Sequence, residues 1–236
     1  MSEGYVVSEG TNIYFRKMGH GPAIVMLHGN RQTHHIFAKI AQSLQENYQI
    51  ILMDSRGHGR SSFGKQTLSL DIMVEDTFHL LEKLHLHQVI LLGFSDGANL
   101  ALHFAASYPT LVKGVLAVSP NVAPEGLKPW FLKTLKGSMV FLNILKKFHL
   151  PLERQAALTD LMLKHSQITD EELKRIVAPV LILTGEKDII QKSHSQCIGA
   201  TVAKGQVKVM GNAGHLTMFH KTDEYLMVME EFLQSL

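Results

Sequence analysis

Ser95 stands between two glycines in Gly93-Phe94-Ser95-Asp96-Gly97, and the apolar run Val89–Leu92 leads into it. A serine hydroxyl at its free pKa is a poor nucleophile and needs a base to take its proton. Gly-x-Ser-x-Gly between a buried strand and a helix is the pattern of a nucleophile elbow. Its turn is so sharp that the positions two residues to either side of the serine must be small. Ser95 is then pushed out above the sheet at a helix N-terminus, where the dipole favours negative charge.

The base is expected late in the chain, past the last strand. Gly211-Asn212-Ala213-Gly214-His215 supplies it as His215, with His220 as the rival. The orienting acid is expected after the strand before that. Gly185-Glu186-Lys187-Asp188 follows Val180–Thr184, so Asp188 is the acid and Glu186 the runner-up. One strand earlier the corresponding place reads Ser119-Pro120-Asn121, without a carboxylate. An oxyanion needs two preorganised N–H donors. The backbone N–H groups of Asp96 and of Asn30, in Leu27-His28-Gly29-Asn30, are the candidates, and His28 reads as a prop for that loop. Phe94, Trp130 and Phe131 are the candidates to line a substrate pocket.

Other chemistries fit poorly. Asp54-Ser55-Arg56-Gly57-His58-Gly59-Arg60-Ser61 is glycine-rich, but it lacks the spacing of a phosphate-binding loop and reads as a tight structural loop. His34-His35 and His85-x-His87 lack metal-ligand spacing, so neither metal nor cofactor is expected. The single cysteine, Cys197, excludes an internal disulfide and fits a reducing compartment. A net charge of +2 gives no basic face for nucleic acid. No signal peptide or apolar span long enough for a membrane is visible, so a cytoplasmic protein without membrane partner is expected.

These residues need a scaffold that brings strand ends together. At 236 residues the chain suits one large domain or two small ones. Residues 4–17 read as an antiparallel hairpin around Glu9-Gly10-Thr11-Asn12. Five apolar runs follow, at Ala23–Leu27, Ile50–Met53, Val89–Leu92, Val115–Val118 and Val180–Leu183, with a more mixed one at Val207–Met210. Short runs apolar on both faces suit buried parallel strands. Helical patterns cover 36–46, 70–86 (after a Ser69 cap, with Asp71 in the first turn), 97–107 and 222–235. The alternation predicts an α/β fold with a parallel sheet.

Residues 121–177 break the alternation. They hold no convincing strand, carry the Trp130-Phe131-Leu132 cluster and six basic residues from Lys128 to Arg154, and end in a helix started by a Thr169/Glu172 capping box. They read as a helical insert, a cap over a core made of 1–120 and 178–236.

Taken in order, the His28-Gly29 loop, Asp54-x-x-Gly57-His58-Gly59-x-Ser61, the Ser95 elbow, Gly185–Asp188 and Gly214-His215 resemble the α/β-hydrolase superfamily, and they cover nearly the whole chain. The resemblance implies a mostly parallel eight-stranded sheet flanked by helices. It also implies a Ser95-His215-Asp188 triad acting through an acyl-enzyme on a small carboxylic ester, in a monomer or homodimer. Carbon–carbon bond hydrolysis, thioester hydrolysis and cofactor-free haloperoxidase chemistry share such a triad, and a non-catalytic binding protein could use the same scaffold. The Ser95-Asp96-Gly97 form of the elbow is similar to that of valacyclovirase-like hydrolases. There Asp96 would favour a cationic substrate, whereas the basic insert favours an anionic one. The insert is short, so a modest, open lid is expected.

Overall fold

The computed structural model describes residues 1–146, 152–164 and 167–236; the parts of the insert at 147–151 and 165–166 lie outside the described residues. Eight strands form one sheet: β1 (Ser2–Ser8), β2 (Thr11–Met18), β3 (Ala23–Leu27), β4 (Gln49–Met53), β5 (Val89–Phe94), β6 (Val112–Val118), β7 (Val180–Gly185) and β8 (Gly205–Met210). Their order is β1-β2-β4-β3-β5-β6-β7-β8. β1 and β2 form the expected hairpin, β2 runs antiparallel to β4, and all further pairings are parallel.

The strands alternate strictly between two apolar layers. Val25, Leu27, Leu91, Val115, Ala117 and Ile182 face α2 (Leu70–Lys83) and α3 (Asp96–Ser107). Ile24, Met26, Ile90, Leu92, Leu116 and Leu183 face α1 (Ala38–Leu44) and α8 (Thr222–Gln234). Each fully buried aliphatic side chain contributes about 1.5–3 kcal/mol by leaving water. The mixed composition of β8 has a simple cause: it is an edge strand, and only Met210 is fully buried.

The helix expected over 36–46 begins differently. A 3-10 turn at His34–Phe37 precedes α1, because the backbone N–H and Nδ1 of His34 both bond Asp54 Oδ1, at 2.8 and 2.9 Å. Ser69 caps α2 as expected, its hydroxyl accepting from Ile72 N at 3.4 Å. A buried ion pair ties the hairpin to α2. Arg56 donates to both carboxylate oxygens of Asp76, through Nε at 2.9 Å, and to Thr11 Oγ1 at 2.7 Å.

Between β6 and β7 lie α4 (Pro129–Lys146), α5 (Glu153–Lys164) and α6 (Asp170–Lys174), and no strand occurs among the described residues there. Thr169 and Glu172 form the capping box of α6, which packs on α3. α4 packs on α5. Leu127, Leu135 and Ile190 make a small core of their own, joined by Phe131 and Met162. Cys197 is exposed on α7 (Lys192–Thr201). Among the described residues no helix is long and apolar enough to cross a membrane.

Candidate active site

β5 ends at Phe94 and α3 starts at Asp96, leaving a single residue to reverse the chain. That residue, Ser95, has φ 53° and ψ −120°, a region that costs a non-glycine residue about 1–3 kcal/mol. Surrounding hydrogen bonds hold it. Ser95 N donates to Val118 O at 2.9 Å, and Ala98 N donates to Ser95 O at 2.8 Å. The glycines make room: a Cβ on Gly93 would meet the Gly97 carbonyl, and one on Gly97 would meet the carbonyls of Leu27 and His28.

The loops leaving β7 and β8 bring the other two residues to this point. His215 Nε2 lies 3.2 Å from Ser95 Oγ, and His215 Nδ1 lies 2.7 Å from Asp188 Oδ1. Asp188, ionised, accepts from Nδ1–H, which leaves the Nε2 lone pair facing the serine hydroxyl. The arrangement can pass the Ser95 proton to His215. Glu186 instead accepts from Asn212 N at 2.9 Å and braces the turn before His215. His220 ends a 3-10 turn at Thr217–Phe219, and among the described residues it bonds neither Ser95 nor Asp188.

Asp188 is 1% exposed. Its burial pushes the carboxyl pKa up, but the His215 hydrogen bond and charge, the Ser119 hydroxyl and the Ile190 N–H outweigh that and hold it below the usual value. Ser119 is the residue the sequence did not reveal: its hydroxyl donates to Asp188 Oδ2 at 2.6 Å, from the end of β6. The only clue was its place on the same sheet edge, where an acid was sought and not found.

His28 does prop its loop. Nδ1 donates to Gly29 O at 2.8 Å, and Nε2 accepts from Ser55 N at 3.1 Å. Burial and the neighbouring His58 depress its pKa to about 4, so it stays neutral. The glycine-rich loop at 54–61 spends its own N–H groups, with Gly57 N on Ser62 O, His58 N on Ser55 O and Arg60 N on the Asp54 carboxylate. It is therefore a structural turn.

The backbone N–H groups of Asn30 and Asp96 are spent on no protein acceptor among the described residues. The Asn30 side chain is occupied: Nδ2 donates to Asp96 Oδ2 at 2.8 Å and to the Leu158 carbonyl of α5 at 2.9 Å. Burial raises the Asp96 carboxyl pKa, against the lowering effect of Asn30 and His215.

A cavity of about 380 Å³ opens beside Ser95 and His215, within the usual range for small-molecule pockets. Phe94 and Phe131 line it, with Leu135, Met162, Ile189 and Leu216. The Phe94 ring also lies tilted on the His215 imidazole, centroids 5.0 Å apart. Trp130 does not line the cavity, contrary to the sequence reading. It is 61% exposed, and its ring meets that of Phe131 edge-on, centroids 5.6 Å apart. Adjacent helix residues lie about 100° apart, and here Phe131 takes the cavity side of α4 while Trp130 falls on its exposed side.

A family profile described as alpha/beta hydrolase fold matches residues 22–159, more than half of the chain. The chain belongs to the α/β-hydrolase fold family and is a hydrolase. It is 23% identical to a monoacylglycerol lipase (abhd6-A) of Xenopus laevis, over 93% of this chain and 77% of that one. It is 25% identical to a putative esterase/lipase of Haemophilus influenzae, over 90% and 83% of the two chains. In structure it is similar to a meta-cleavage product hydrolase of Pseudomonas fluorescens, with a TM-score of 0.82 at 17% identity, covering 98% and 97% of the chains.

Proposed function

We propose that the protein hydrolyses a small carboxylic ester through a covalent acyl-enzyme, with Ser95 as nucleophile, His215 as general base and Asp188 as orienting acid. The observation that carries this reading is the unbroken relay from Asp188 through His215 to Ser95, beside an apolar cavity that the Asn30 loop also lines. His215 takes the Ser95 proton as Oγ attacks the carbonyl carbon. The N–H groups of Asn30 and Asp96 hold the resulting oxyanion. The C–O bond breaks, and His215 gives its proton to the departing alcohol. Water, deprotonated by His215, then attacks the acyl carbonyl and frees the acid and Ser95. No step requires a cofactor. In this reading α4 to α6 form a lid over the core. The relatives named as lipase and esterase support ester chemistry.

Turnover of p-nitrophenyl butyrate by wild type and Ser95→Ala tests the proposal. Loss of at least about 10³-fold in the variant is expected. Turnover in the variant within tenfold of wild type would overturn the role of Ser95. A fluorophosphonate should label wild type at Ser95 and leave Ser95→Ala untouched.

A further inference from the structure

The residue after Asn30 has no role in that mechanism. Arg31 lines the same cavity as Ser95 and His215. Among the described residues lining it, Arg31 carries the one permanent charge, and no carboxylate is among them. Among the described residues Arg31 also forms no ion pair. Its Nη2 donates to Thr159 Oγ1 at 2.7 Å and, at 3.4 Å, to the Gln155 carbonyl, both on α5. Those acceptors are neutral, and among the described residues Nε and Nη1 have no acceptor, which leaves them for another partner.

We propose, resting on the ester hydrolase reading, that Arg31 is a specificity residue that pairs with a carboxylate on the substrate. The preferred ester then carries an anionic group apart from its scissile bond. A guanidinium fork matches a carboxylate in two parallel hydrogen bonds. The apolar wall formed by Phe131, Leu135 and Met162 would take the carbon skeleton between carboxylate and ester. Asp96, the one acid beside the nucleophile, does not compete for this role. Its carboxylate is bound by Asn30, and it is not part of the cavity lining. The opposing cues of acidic elbow and basic insert thus resolve toward an anionic substrate.

The test compares mono-p-nitrophenyl glutarate with p-nitrophenyl valerate, and 4-acetoxybenzoate with phenyl acetate. The first pair places the carboxylate on the acyl side, the second on the alcohol side. Wild type is expected to favour the anionic member of one pair, and the pair that responds identifies the side. Arg31→Gln should lower kcat/KM for that anionic ester about 10- to 100-fold and leave its neutral partner within about threefold. Thr159→Val, which removes the tether but keeps the charge, should retain the preference. The proposal is overturned if wild type shows no preference, or if Arg31→Gln and Thr159→Val lower both esters alike. If wild type turns over no ester, the hydrolase reading itself falls, and binding decides Arg31. Glutarate raising the Tm of wild type but not of Arg31→Gln would support the site; no rise in wild type would overturn it.

Discussion

Ser119 sets how firmly Asp188 holds His215. A hydroxyl that donates to a carboxylate favours its charged form, so removing it should raise the Asp188 pKa. Ser119→Ala is expected to lower kcat about tenfold, with the fold intact by circular dichroism, because one charge-assisted bond is worth about 1.5 kcal/mol or more. The loss should deepen as the assay pH falls toward the range in which the freed carboxyl takes a proton. Equal loss at every pH would instead point to a packing defect. The positions that now form the relay were legible because their spacing follows from the strand ends that carry them. Ser119 was not, since a serine after a strand is chemically ordinary until its partner from β7 is seen beside it. Trp130 failed for the opposite reason: an aromatic pair was read as one pocket wall, although of the two rings Phe131 lines the cavity and Trp130 faces solvent.

At the scale of elements, the loops after β3 and β4 form one buried unit. His28 contacts Ser55, and His34 contacts Asp54. This unit should make stability sensitive to acid. The His28 pKa falls to about 4 in the fold from an ordinary 6.5, and that of His58 is lowered too. Between those values the unfolded chain binds protons that the folded chain refuses, so stability rises with pH through this window. The Tm is expected to be highest above pH 6.5 and to fall steadily toward pH 4. His28→Gln should flatten that slope, read by thermal unfolding across a pH series. The elbow offers a second test. Gly97→Ala forces a methyl group against the carbonyls of Leu27 and His28 and should cost about 1–3 kcal/mol in denaturant unfolding. Strands and elbow were visible in the sequence because burial on both faces writes an unbroken apolar run. The start of α1 was not, because the His34 anchor on Asp54 depends on a long-range contact rather than on helical period.

Over the whole molecule, the sheet and the helices on its two faces follow from the alternation of apolar runs and amphipathic segments. The insert does not. α4 carries apolar residues all around: Leu135 is buried, whereas Trp130, Val140, Phe141 and Ile144 stay exposed, so hydrophobic period could not say which side faces inward. Its contacts with α5, with Leu127 and Ile190, and of Phe131 and Leu135 with the cavity show its orientation. That orientation has an optical consequence. Trp130 is the single tryptophan of the chain. It lies outside the cavity, one residue from Phe131, which lines it. Intrinsic fluorescence excited at the indole therefore reports on α4 alone. Emission from the resting protein should be that of a hydrated indole, open to iodide quenching. Any filling of the cavity that shifts Phe131 should change its intensity without a label, giving a direct stopped-flow signal for ligand entry even in the Ser95→Ala protein.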